Sequence, residues 1–148
     1  MTLVAVGAVL VGLLIINTLV IAPYNLSYFN PLLGGSGTGR ANLLVGWGEG
    51  LEQAGSIIDH AEGGCTHRRV AVSFPMKPAF VCQRPVFITE TGRLERGDYI
   101  VLYVDYIQRI PRASLHAFRR FGRRIGVVRI RGIEYAEVIR FEGPHPGA

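Results

Sequence analysis

Residues Asp98 to Val104 read DYIVLYV, a β-branched and aromatic run with no charge after its first residue. Such a run suits a strand covered on both faces, so it is expected to be central and buried. Working outward, Arg69 to Phe74 (RVAVSF, closed by Pro75) predicts another strand, and Val86 to Thr89 a short one. Between Pro78 and Pro85 the chain should be irregular or at most a short helix. Downstream, Pro111 to Ile125 predicts a basic helix, with Leu115, Phe118 and Ile125 on one side and Arg112, Arg119, Arg120, Arg123 and Arg124 supplying charge. Val127 to Phe141 alternates in two arms about Arg131-Gly132 and predicts a hairpin or two sequential strands. Upstream, Leu51, Ala54, Ile57 and Ile58 recur at helical spacing, so a helix is expected from Glu49 to Ala61. Glu49 and Glu52 suit the positive end of its dipole, and Gly63-Gly64 ends it. The simplest packing of these elements is a small soluble α/β domain with a mixed sheet over residues 49–148.

The other end of the chain asks for a different solvent. No charged residue precedes Arg40, and Leu3 to Ala22 (LVAVGAVLVGLLIINTLVIA) has only Asn17 and Thr18 as polar interruptions. Twenty helical residues reach about 30 Å, the thickness of a bilayer's hydrocarbon core. Pro23 stops the helix. Residues 1–23 are therefore expected to be one N-terminal transmembrane helix. A cleaved signal peptide would carry a basic start and a shorter apolar core, and a buried soluble helix would show a water-facing side. Residues 24–48 read as an interfacial, glycine-rich connector: Tyr24, Tyr28 and Phe29 suit the membrane–water boundary, and Gly34, Gly35, Gly37 and Gly39 predict turn or loop, not helix.

The chain has 148 residues and a net charge of +5, most of the basic excess being arginine. That balance points to anionic partners: phosphate head groups, a phosphorylated lipid or nucleic acid. Nucleic acid is set aside, because no recognised binding motif accompanies the charge. Cys65 and Cys82 would form a disulfide outside the cytoplasm and remain two thiols within it.

Two segments, PYNLSYFNPLLGG (Pro23 to Gly35) and VGWGEGLEQA (Val45 to Ala54), resemble the region after the last membrane helix of bacterial dolichyl-phosphate-mannose-protein mannosyltransferase-like glycosyltransferases, multi-span enzymes of the GT-C architecture. The resemblance is carried by Pro23, Tyr24, Leu26, Ser27, Tyr28, Phe29, Asn30, Leu32, Gly34 and Gly35, then by Trp47, Gly48, Glu49, Gly50 and Leu51. DYIVLYVDYIQR (Asp98 to Arg109) and VRIRGIEYAEVIR (Val128 to Arg140) resemble that family's C-terminal domain more weakly. The resemblance implies sugar transfer from a polyprenyl-phosphate donor at the extracytoplasmic face of the cell membrane, with this domain outside. No cofactor is expected. The resemblance also implies that the catalytic loop belongs to an upstream multi-span region, so that this chain is a C-terminal fragment or accessory domain holding no catalytic residue. Charge near the span is limited to Arg40 and leaves orientation to the resemblance. The competing expectation is a stand-alone anchored module that uses its basic helix at an anionic membrane surface.

Candidate contacts to substrate or lipid phosphate are Tyr24, Asn30, Trp47, Glu49, Arg119, Arg120 and Arg123. For each there is a plainer alternative: interfacial anchoring for Tyr24 and Asn30, a tight turn with a packed Trp47, and a solvated helix face for the arginines. Neither glycine cluster has the GxxxxGK[ST] pattern of a nucleotide loop. His60, Cys65, His67 and Cys82 lack the paired spacing of a metal site, so no metal is expected. Asp59 and His60 would point apart on a helix, and no nucleophile elbow is present.

Overall fold

The structure is a computed structural model that describes residues 2–21, 35–43, 45–73 and 76–143. A five-stranded mixed sheet lies at its centre: β1 (Arg69–Val72), β2 (Arg84–Phe87), β3 (Tyr99–Tyr103), β4 (Gly122–Ile130) and β5 (Ile133–Phe141), in the order β2-β1-β3-β5-β4. β1 runs parallel to β2 and β3, whereas β5 is antiparallel to both β3 and β4. The DYIVLYV run is the middle strand, and all five residues of β3 are buried. Both of its faces are covered, which explains why it is apolar without alternation.

One face carries Tyr99, Val101 and Tyr103, with Val70, Val72, Val128, Tyr135 and Val138 beside them. Helix α3 (Leu51–Glu62) covers this face with Leu51, Ala54 and Ile58. The opposite face carries Ala71, Ile100, Leu102, Ile139 and Phe141. It is covered by α4 (Val104–Arg109) and α5 (Arg112–Arg120) through Tyr106, Ile107, Leu115 and Phe118. The molecule is thus an α/β domain of three layers. The β4–β5 hairpin turns on Arg131 and Gly132, with φ of 50° and 81°. Two consecutive left-handed residues make the twist-compatible two-residue turn of a tight hairpin.

Three expectations need correction. The basic helix ends at Arg120, and Arg123 and Arg124 lie on β4. Glycine at 122 and 126 weakens a helix there. Pairing of Gly122 with Phe141 and Arg123 with Arg140 draws the segment into the sheet. The glycine-rich connector is not all loop: Gly35–Asn42 forms α2. It is held by the Asn42 amide donating to Thr38 O at 2.9 Å and by packing against β5, with Gly39 buried. The short strand expected at Val86 to Thr89 begins and ends two residues earlier, and Ile88–Arg93 turns into 3-10 helix.

α1 (Thr2–Ile21) is a helix of 20 residues, and its described large apolar side chains are all exposed, Val4 to 79% and Leu19 to 70%. Among the described residues no helix is long and apolar enough to cross a membrane. The span expected over residues 1–23 is therefore not established by the described residues.

Candidate functional site

The segment Gly46-Trp47-Gly48-Glu49-Gly50 is a knot on the end of the central strand. Gly46, Gly48 and Gly50 have φ of 102°, 110° and 79°, values that a side chain would strain. Gly48 N donates to the Tyr103 hydroxyl at 2.8 Å, and that hydroxyl lies 3.2 Å from both Glu49 O and Glu49 Oε2. Glu49 Oε2 also accepts from Trp47 N at 2.6 Å. The Glu49 carboxylate is thus committed to its own loop. Burial, opposed by the Gly48 N–H and reinforced by the Glu49 charge, pushes the Tyr103 phenol far above its ordinary range. On the other flank Gln108 clasps the connector, accepting from Val45 N and donating to Leu43 O, each at 3.1 Å.

Trp47 does not pack as an anchor. It is 76% exposed, displayed by the knot rather than buried in it. As the chain's only tryptophan it reports directly on this loop. Tyr103→Phe leaves the Gly48 N–H without its acceptor, which should cost about 1–2 kcal/mol. The expected result is lower stability in denaturant together with lower Trp47 fluorescence anisotropy. Unchanged anisotropy would mean that Tyr103 does not hold the loop.

The arginines separate into different roles. Arg119 lies on α5 but bonds the buried Glu137 of β5, Nε to Oε2 at 2.9 Å and an NH2 contact at 2.7 Å. It is therefore a structural residue. Arg120 is exposed on the last turn of α5. Arg123 joins a different group altogether. Arg68, Arg96, Arg123 and Arg140, with Gly97, Phe141 and Glu142, line an open cavity of about 280 Å³. Arg123 and Arg140 are direct cross-strand neighbours. The Arg68 guanidinium lies across Gly97, 3.4 Å from where a Cβ would stand. Arg140 is fixed from behind by Glu62 Oε1 at 3.3 Å, and the same oxygen accepts the Tyr99 hydroxyl. This pocket joins four chain segments that no local motif connects.

Tyr99 responds to that setting. Burial first, then the hydrogen bond and charge of Glu62, push its phenol from 10.0 up to about 12, while Arg140 and Arg68 pull the other way. The folded chain therefore holds this proton more tightly than the unfolded chain does. Its contribution to stability is complete below pH 10 and is lost as pH rises through 12. Absorbance titration should show one phenol ionising near 12, and Tyr99→Phe should remove that step. A wild-type titration with no phenol above the ordinary range would contradict the network.

Tyr24 and Asn30 lie outside the described residues. Cys65 and Cys82 are joined in a disulfide, Cα–Cα 5.2 Å, which removes both as metal ligands. Among the described residues no three His, Cys, Asp or Glu side chains gather where they could hold a metal. Asp59 accepts from the Gln83 amide at 2.6 Å. Compared with protein-family models, curated proteins and solved structures, the chain matches none.

Proposed function

We propose that this chain is the membrane-anchored, extracytoplasmic α/β domain of a glycosyltransferase that moves a sugar from a polyprenyl-phosphate carrier to an acceptor. The transferring residues would belong to a multi-span catalytic part. The observation that carries the reading is α1, a charge-free helix of 20 residues whose described large apolar side chains face outward. Ten large apolar side chains of α1 exposed to water would oppose the hydrophobic effect, and the acyl region of a bilayer removes that cost. Two further features support it. A disulfide is compatible with an oxidising compartment outside the cytoplasm. The motif WGEG forms a built knot presenting Trp47, a ring suited to interfacial depth.

Alkaline carbonate extraction of membranes tests the anchor: the full chain should stay with the lipid pellet, and release into the supernatant would remove the premise. The enzymatic part is tested by the coding sequence upstream of Met1 and by co-purification in mild detergent. A multi-span region should be found in frame or as a bound partner. Finding neither would leave the second reading, an anchored module that binds anionic groups. That reading is favoured by one observation, the arginine-lined cavity.

A further inference from the structure

The charge in the cavity is unbalanced. Four arginines line it against one lining carboxylate, Glu142, and Glu62 reaches only Arg140 from behind. Four positive charges against two negative leaves two in excess. Among the described residues Arg68, Arg96 and Arg123 make no ion pair. Like charges placed directly opposite on neighbouring strands destabilise a sheet, and Arg123 faces Arg140 in this way. Folding alone gives no reason for such a grouping, whereas an anionic guest does.

We propose that this cavity binds a phosphomonoester group, the −2 form of phosphate. The excess of two positive charges matches a group carrying about −1.5 to −2 at neutral pH, and guanidinium forks fit its three terminal oxygens. A phosphodiester carries about half that charge and has fewer free oxygens. At about 280 Å³ the cavity sits at the small end of ligand sites, the size of a head group rather than a whole lipid. Arg140, held by Glu62, whose Oε1 also accepts the Tyr99 hydroxyl, is the preorganised member. Arg68, Arg96 and Arg123 are exposed, so their guanidinium groups are open to the guest. The inference stands on the cavity and survives failure of the sugar-transfer reading. If that reading holds, the matching group is the terminal phosphate of the carrier after its sugar has left.

The test uses the full chain in neutral phosphatidylcholine nanodiscs. Binding is measured by calorimetry for inorganic phosphate. In parallel, binding to vesicles doped with phosphatidate (a monoester) is compared with vesicles matched in surface charge but doped with phosphatidylglycerol (a diester). Phosphatidate should bind at least about 10-fold more tightly than phosphatidylglycerol. Competition by inorganic phosphate assigns the site to the phosphoryl group itself, and phosphatidate binding without such competition assigns it to the lipid-borne monoester. Arg123→Gln should weaken phosphatidate binding by about 10-fold or more, as for loss of one charge-assisted hydrogen bond. Arg120→Gln, removing the same charge outside the cavity, should change it less than about 2-fold. The thermal midpoint of Arg123→Gln should equal or exceed the parent's, because the repulsion from Arg140 is relieved. Equal loss in the two variants would show diffuse surface attraction and overturn the proposal. So would equal affinity for the two lipids, or no binding in either arm.

Discussion

Arg119→Leu is expected to destabilise the domain by about 2–3 kcal/mol, more than any other single surface-side change in it. Glu137 sits in the middle of β5, opposite Leu102 of β3 and Val127 of β4, and is only 5% exposed. Arg119 supplies two contacts to its Oε2, at 2.9 and 2.7 Å. Replacing the arginine leaves a carboxylate in a nearly dry sheet without that compensation. Breaking a buried pair from one side typically costs about 3–5 kcal/mol. The lower figure applies here because Arg119 is 39% exposed, so water can reach the vacated site. Two companion variants give the mechanism away. Arg119→Lys keeps the charge but loses the fork and should fall between the two. The double change Arg119→Leu/Glu137→Leu should recover most of the loss, because an apolar pair of similar volume avoids the desolvation of both charges. A double variant no more stable than Arg119→Leu would show that the lost packing of the arginine stem, not the orphaned carboxylate, sets the cost.

That dual identity of the arginines marks where sequence reading succeeds and where it stops. DYIVLYV reveals the central strand because burial on both faces leaves a local trace, an unbroken apolar run. The hairpin about Arg131-Gly132 is equally legible, since period-two alternation and a turn glycine are neighbours in the chain. The basic helix is misjudged at its end because Ile125 continues the helical spacing of Leu115 and Phe118, while the pairing that claims Gly122 to Ile130 comes from β5. Tertiary partners override such local periodicity, and α2 shows the same with its glycines. The cavity is illegible for a related reason. Arg68, Arg96, Arg123 and Arg140 are at least 17 positions apart in sequence and meet only because β1, β3, β4 and β5 bring their ends together. A charge count can announce an anionic partner, but only the sheet order says which arginines would meet it. Trp47 is the converse case: the WGEG glycines mark a tight turn, yet nothing local says that the ring points out.

Removing the disulfide is the other change with a large expected effect. Cys65→Ser/Cys82→Ser should lower stability by about 3 kcal/mol, the chain-entropy cost of releasing a closed loop of this length. The two cysteines are 17 residues apart, and the loop they close contains β1 and the 3-10 turn Lys77–Ala79. β1 is the strand on which both β2 and β3 pair, so the bridge restrains the chain around the parallel half of the sheet. In the unfolded chain that restraint removes conformations which the open loop would regain. The antiparallel half, β3 with β5 and β4, contains no part of the loop. Denaturant unfolding of the oxidised parent, the reduced parent and the double variant should place the last two together. Hydrogen exchange should then show the added opening concentrated in β1 and β2 rather than in β4 and β5. Stability of the double variant within about 0.5 kcal/mol of the oxidised parent would mean that the bridge does not restrain the unfolded chain as the loop model requires. Faster exchange spread evenly over all five strands would mean that the sheet opens as one unit, with the bridge acting on the whole domain.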